Sequence, residues 1–289
     1  MKPSSLALLL AAVLSFASGC SAPQPPVNVR DFPLTGELRA IKPDKSEIQV
    51  KHDEVKGFME PMTMWFTIRD PGLLDGLAPG DLLSATLVLT AEDHYLTAVR
   101  KTGRRPAGEA SAPPPAPADF LPIGAAVPDI AFTDESGQAR PLSSYRGSYT
   151  LLTFIYTRCP LPDYCPRMNA HFAAVQRGLK ADPRLGGGVR LLSVSFDPEF
   201  DTPARLAAKA KEMGADPALW HFVTAPRDEV DGFGAKLGLS VLREGAGGSN
   251  ITHNLRTVLL DRDGTLARTY NGKDWSPEDV IRDLQALVK

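Results

Sequence analysis

Two hydrophobic patterns succeed one another along the chain. Between Leu34 and Thr102 apolar and polar residues alternate in short runs, as in Ser46–His52, Met62–Ile68 and Leu82–Leu89, with turn signals between them at Lys42-Pro43-Asp44, Asp70-Pro71-Gly72 and Ala78-Pro79-Gly80-Asp81. Period-two alternation in short runs predicts strands with one buried face, and several of them in so short a stretch predict a small, OB-like β-barrel. Further on, the runs Tyr149–Tyr156 and Val189–Phe196 are almost continuously apolar and read as buried strands. They interleave with helical patterns over Arg167–Lys180, from Thr202-Pro203 onward, over Arg227–Leu237 and from Ser276-Pro277-Glu278 onward. A strand at His221–Thr224 and a hairpin of Leu255–Asp261 and Thr265–Tyr270 about Arg262-Asp263-Gly264 complete the pattern. Thr202 is expected to cap its helix, with Pro203 in the first turn. Strands alternating with helices and closing on a hairpin plus helix predict an α/β thioredoxin-like domain.

Proline-rich stretches divide these regions. Residues 21–33 read as a stiff tether and residues 104–120, with Pro113, Pro114, Pro115 and Pro117 among Ala and Gly, as an interdomain linker that cannot pack a core. The barrel then occupies 34–103 and the thioredoxin-like domain 121–289. Residues 1–20 carry Lys2, an apolar run from Leu6 to Phe16 and small residues before Cys20, the pattern of an export signal and too short for a spanning helix. Small residues followed by cysteine resemble the lipobox of bacterial lipoproteins. That resemblance implies lipidation of Cys20 and a membrane-anchored, periplasmic protein, and Ser21 after it implies the outer membrane. Without lipidation, Cys20 is removed with the signal or left free.

Charge narrows the partners. With 32 Lys+Arg against 34 Asp+Glu the net charge is -2, and no basic block stands out, so nucleic acid is set aside. A monomer is expected.

Of the three cysteines, Cys159 and Cys165 remain as a close pair in an oxidising compartment, which is a disulfide, a redox pair or a metal site. Cys165 falls where a helix begins, and the helix N-terminus favours its thiolate. The loop Cys159-Pro160 to Cys165-Pro166, the stretch Ser193-Val-Ser-Phe-Asp-Pro-Glu-Phe-Asp-Thr-Pro203 and His253 before the last hairpin together resemble the SCO/SenC family, over roughly Phe120 to Lys289. The resemblance implies a thioredoxin-like copper protein with Cys159, Cys165 and His253 as ligands, delivering copper to a respiratory oxidase subunit. The chain departs from the family in having five residues between its cysteines where three are usual. Two soft sulfurs and an imidazole suit Cu(I) and are compatible with Cu(II), and the lack of a fourth close ligand argues against structural zinc. A thiol–disulfide reductase using Cys159 and Cys165 is the rival reading, weakened by the wider spacing and by the absence of proline between Arg227 and Ser276. Asp197 orients the site or caps a turn. His171 is read on a solvated helix face, and His94 and His221 as structural.

In the first region His52 precedes Met59, Met62 and Met64. Met62 and Met64, two apart on a strand, present their thioethers on one side, and thioethers with an imidazole prefer Cu(I). This set resembles the CusF-like periplasmic copper-binding domains. It implies His52, Met62 and Met64 as ligands, with Met59 in place of a stacking tryptophan unless Trp65 serves from elsewhere; ordinary core packing of the methionines is the alternative. Copper collected by thioethers would pass to the thiolates, with a flexible linker holding the two sites at an effective concentration on the order of millimolar. A copper-sequestering lipoprotein is the third reading.

Overall fold

The fold is a computed structural model that describes residues 29–59, 61–90, 93–105, 120–185, 187–244 and 250–288. The signal, Cys20, most of the tether and most of the linker lie outside the described residues.

Five strands form the expected barrel: β1 (Arg30–Ile41), β2 (Glu47–His52), β3 (Met62–Ile68), β4 (Asp81–Leu89) and β5 (His94–Arg104), closed in the order β1-β2-β3-β5-β4. Leu34, Leu38, Ile48, Val50, Phe66, Leu83 and Leu87 fill its interior at 0 or 1% exposure, as the alternating pattern requires. The first strand begins earlier than the tether reading allows: Arg30 to Pro33 pair with Leu89 to Thr86 of β4. Pro33 is tolerated because β1 meets β2 only from Gly36 onward, so its missing N–H faces no ladder there.

Closure is weakest between β3 and β5, which pair only at Thr67↔Tyr95 and Ile68↔Leu96. Ile68 N–H bonds to Ser46 O on the β2 side, so the backbone groups of even-numbered β3 residues face β2. Those of Thr63 and Trp65 face the other way, along an open edge that must find partners elsewhere.

The second region is a seven-stranded sheet ordered β14-β13-β8-β9-β10-β6-β7. Its strands are β6 (Ala131–Asp134), β7 (Ala139–Pro141), β8 (Tyr149–Ile155), β9 (Val189–Ser195), β10 (Trp220–Thr224), β13 (Arg256–Leu260) and β14 (Leu266–Asn271). The three central strands, β8, β9 and β10, run parallel, and every residue of β8 is buried, the expected signature of a strand covered on both faces. The helices are α1 (Cys165–Ala181), α2 (Pro203–Glu212), α3 (Arg227–Lys236) and α4 (Pro277–Leu287). A hairpin of β11 (Val241–Glu244) and β12 (Asn250–His253), absent from the sequence reading, stands apart from the main sheet. Ser276 caps α4 through a reciprocal capping box with Asp279. Thr202 sits at the start of α2, but its hydroxyl makes no capping bond, contrary to expectation.

Candidate metal centre and the interface that covers it

The apolar strand β8 ends at Ile155 and delivers the loop from Tyr156 to Tyr164 to the end of the sheet. Buried carboxylates fix that loop. Asp201, fully buried, accepts Thr157 N–H at 2.9 Å, the Thr157 hydroxyl, and Ser195 Oγ at 2.5 Å. Burial pushes its carboxyl up, against those hydrogen bonds. Asp197 accepts Arg158 Nε at 2.7 Å and Nη2 at 3.3 Å. Of the two readings for Asp197, the structure favours orientation: it holds the residue immediately before Cys159. Thr157, Arg158 and Asp201 were not singled out from sequence, although Asp201 lies in the same stretch as Asp197.

Cys165 is the first residue of α1 and is 1% exposed, whereas Cys159 is partly exposed; both are free thiols. His253, at the end of β12, places Nε2 3.9 Å from Cys165 Sγ. Its Nδ1 lies 2.9 Å from Asn254 O. A carbonyl only accepts, so Nδ1 carries a proton, and Nε2 is the ring nitrogen that faces the sulfurs. The rings of Phe196 at 4.8 Å, Tyr156 at 5.6 Å and Tyr164 at 6.1 Å enclose the imidazole. The three residues, separated by up to 94 positions (253 − 159), thus converge.

The charge sits on the other sulfur from the one the helix start predicts. Burial pushes the Cys159 thiol up, but hydrogen bonds from Cys165 and His253 outweigh it and hold Cys159 well below its ordinary value. Burial and the adjacent Cys159 charge raise Cys165 well above its own. Two adjacent sulfurs in so enclosed a site cannot both ionise, and Cys159, which accepts from both Cys165 and His253, takes the single charge. The resulting donor set is one thiolate, one thiol and the Nε2 of one imidazole, which fits a soft cation.

The barrel carries its own set. His52 and Met62 are directly opposed on β2 and β3, and Val50 opposes Met64. Met59, Met62 and Met64 are 6, 8 and 5% exposed and belong to the barrel core. His52, 1% exposed, repeats the arrangement of His253: Nδ1 is 2.7 Å from the next residue's carbonyl, Asp53 O, and the buried Nε2 has no partner. Burial holds its imidazole below the ordinary value and therefore neutral. The orphaned nitrogen of His52 lies on the strand that pairs with Met62 and Met64, and its chemistry fits a soft-metal ligand. Trp65 is on the alternate face of β3, only half-buried, with Lys42 Nζ 5.7 Å from its ring centroid.

The two domains touch, and they do so at both donor sets. The open edge of β3 is covered by the second domain, where Thr252 Oγ1 donates to Thr63 O and Tyr164 Oη reaches Trp65 O at 3.4 Å, and by the barrel's own His94, whose Nε2 lies 3.2 Å from Trp65 O. Leu161, between the two cysteines, is 4% exposed and part of the barrel core, and Cys159 and Tyr164 pack against both cores. Asp163 is fully buried, with Oδ1 2.6 Å from His94 Nδ1 of the barrel and Oδ2 2.5 Å from Lys273 Nζ, which lies between β14 and α4. Burial pushes this carboxyl up, and the His94 and Lys273 bonds overcome it, keeping it below its ordinary value. Asp93, His94 and Asp163 cluster closely enough to hold a cation. The Lys273 ammonium, 3.6 Å from Asp93 and bonded to Asp163, already fills that role. His94 is thus structural, as expected, but through a partner 69 positions away. His221 is also structural, paired to Glu135 at 3.0 Å. His171 departs from expectation: it is half-buried, edge-on to Trp275 at 4.6 Å.

A parallel-centred sheet that delivers two cysteines and a histidine to one end, beside a five-stranded barrel with a second soft set, defines a thioredoxin-like thiol–imidazole protein with an accessory barrel. The SCO1/SenC family model matches residues 124–289, more than half of the chain, and the chain belongs to that family. A second family model, described as copper binding periplasmic protein CusF, matches residues 31–101. The SCO1 protein homolog of Bacillus subtilis is 30% identical over 167 residues, covering 57% of this chain and 84% of that protein. The mitochondrial SCO2 homolog of Mus musculus is 25% identical over 176 residues, 55% of this chain, which spans 61% of that relative's length. The crystal structure of a SCO1/SenC family lipoprotein from Bacillus anthracis aligns with a TM-score of 0.51 at 24% identity, covering 60% of this chain and all of that one, which shows the shared fold.

Proposed function

We propose that this chain binds copper at Cys159, Cys165 and His253 and delivers it to an acceptor protein, an oxidase subunit by the family resemblance, and that His52, Met62, Met64 and Met59 collect Cu(I) beforehand. The carrying observation is the convergence of a thiolate, a thiol and the Nε2 of His253, 3.9 Å from Cys165 Sγ. The orphaned His52 nitrogen, on the strand opposite Met62 and Met64, supports the second set. Transfer between them crosses a packed interface in place of a free tether. The test is a copper titration of the reduced full chain that records sulfur-to-copper charge transfer and counts thiols. One band should saturate with both thiols of the pair protected, and His253→Ala should weaken it; full affinity in that variant would end the assignment. Unchanged loading of the cysteine site at limiting copper after Met62→Leu and Met64→Leu would end the relay.

A second reading rests on the same pair of sulfurs. The Cys159 thiolate would attack a partner disulfide that gains access to it, releasing one partner thiol; Cys165 then resolves the mixed disulfide, leaving Cys159–Cys165 oxidised and the partner reduced. Loss of both thiols in the titration, without a copper band, would favour it. For location we propose export and lipid anchoring at Cys20 on the periplasmic face of the outer membrane, supported by the apolar run before Cys20. Release of a Cys20→Ser protein from membranes tests the anchor.

A further inference from the structure

We propose that the barrel is the cover of the thiol site: the loop between Cys159 and Cys165 plugs the β3–β5 seam, closing the sulfurs to any protein-sized partner until the seam opens. Three observations carry this. Among the described residues the seam is the shortest ladder of the barrel, since β3 and β5 share two register pairs, and the β3 carbonyls at Thr63 and Trp65 are met from the second domain and by His94. The plug is apolar at its tip, with Leu161 in the barrel core. Its anchor is charged: Asp163 is held from the barrel by His94 and from its own domain by Lys273, two groups that converge on a fully buried carboxylate.

Such an interface is closed but reversible. Undocking exposes Asp163 together with both of its partners to water, so each charge regains hydration; removing one partner from the closed state instead leaves a buried charge without compensation and favours opening. The same face cannot hold the barrel and an incoming protein together, because Leu161 and Asp163 lie between the two cysteines in the chain. The barrel and a protein acceptor therefore occupy the loop in turn. In the closed state the thioether set and the thiolate set share one interface, and in the open state the thiolate set faces outward.

The purpose of the cover rests on the copper reading, but its existence does not, and the assay contains no metal. In the reduced, apo full chain, the labelling rate of each cysteine is measured with a 5-kDa polyethylene-glycol maleimide and with N-ethylmaleimide, resolved by peptide mass spectrometry. The ratio of bulky to small reagent rates cancels changes in thiol reactivity. Asp163→Asn and Lys273→Ala should each raise that ratio at Cys159 by roughly tenfold. Lys273 is partly exposed and outside both cores, so Lys273→Ala retains the fold if Asp163→Asn does not. An unchanged ratio in a folded variant, or a wild-type protein that admits the bulky reagent as fast as the variants do, overturns the proposal.

Discussion

Replacing His52 by leucine should leave the metal-free barrel as stable as before or more so while abolishing its Cu(I) site. His52 is 1% exposed, and its Nε2 has no hydrogen-bond partner. Leaving such an atom unpaired costs about 1–3 kcal/mol, whereas the bond from Nδ1 to Asp53 O, lost in the variant, contributes about 1 kcal/mol, and the Asp53 end is exposed enough for water to replace it. Leucine is close to histidine in volume and packs against Phe66, whose ring lies 5.7 Å from the imidazole. The balance is therefore roughly 0 to 2 kcal/mol in favour of the variant. The sign of the pH dependence follows from burial, which lowers the imidazole below 6.5 in the folded state. The unfolded chain takes up a proton that the folded chain refuses, so wild-type stability falls as pH drops through and below about 6.5, and the variant loses that fall. Native-state hydrogen exchange of the β2 and β3 amides measures both effects, and competition with a chromogenic Cu(I) chelator measures affinity. A variant destabilised by about 2 kcal/mol at neutral pH would show that the imidazole is a paired core group, refuting the reasoning.

Two more outcomes follow from the same geometry. Gly36 opposes His52 across β1 and β2, and a Cβ there would stand 2.5 Å from Lys51 O and 2.7 Å from His52 Cα; Gly36→Ala should cost the barrel about 1–3 kcal/mol and weaken its Cu(I) binding, read by urea unfolding and the same competition. With a small alkylating reagent near neutral pH, Cys159 should react well before Cys165, because it is the more exposed and holds the thiolate while Cys165 is buried and raised; mass spectrometry of partly labelled protein gives the order, and Cys165 reacting first would reverse the charge assignment.

What the residues alone disclose depends on how local the determining contact is. Strands such as Met62–Ile68 and the buried β8 are legible because each carries its own pattern, and the start of α4 because Ser276 and Asp279 complete their capping box within one turn. Thr202 looks the same in sequence, yet its hydroxyl bonds to nothing in the helix, since a capping residue type does not guarantee the rotamer. The strand character of Arg30–Pro33 is hidden because it comes from pairing with β4, more than fifty positions away. The thiolate is misplaced by the helix-start argument because that argument sees Cys165 alone; the imidazole and the second sulfur that decide the charge arrive from β12 and from the preceding loop. Asp163 gives no signal of its role, because both of its partners, His94 and Lys273, are remote in sequence.

The charge arrangement bears on the direction in which copper moves. A Cu(I) ion held by His52 and three thioethers adds a full positive charge to a site walled by the barrel core, where every donor is neutral and burial penalises net charge. The same ion at Cys159 would meet a thiolate already present, whose charge offsets its own. Both histidines are oriented alike, each by the carbonyl of the following residue, so the imidazoles contribute similarly and the sulfurs decide the difference. Electrostatics therefore favours the proposed direction, from barrel to cysteine pair, and Cys165, kept protonated by its neighbour's charge, would become a second thiolate only when a bound cation compensates it. On the proposed relay, copper reaching the pair would thus create the strong site that retains it, which a permanently doubly ionised pair, too costly to bury, would not achieve.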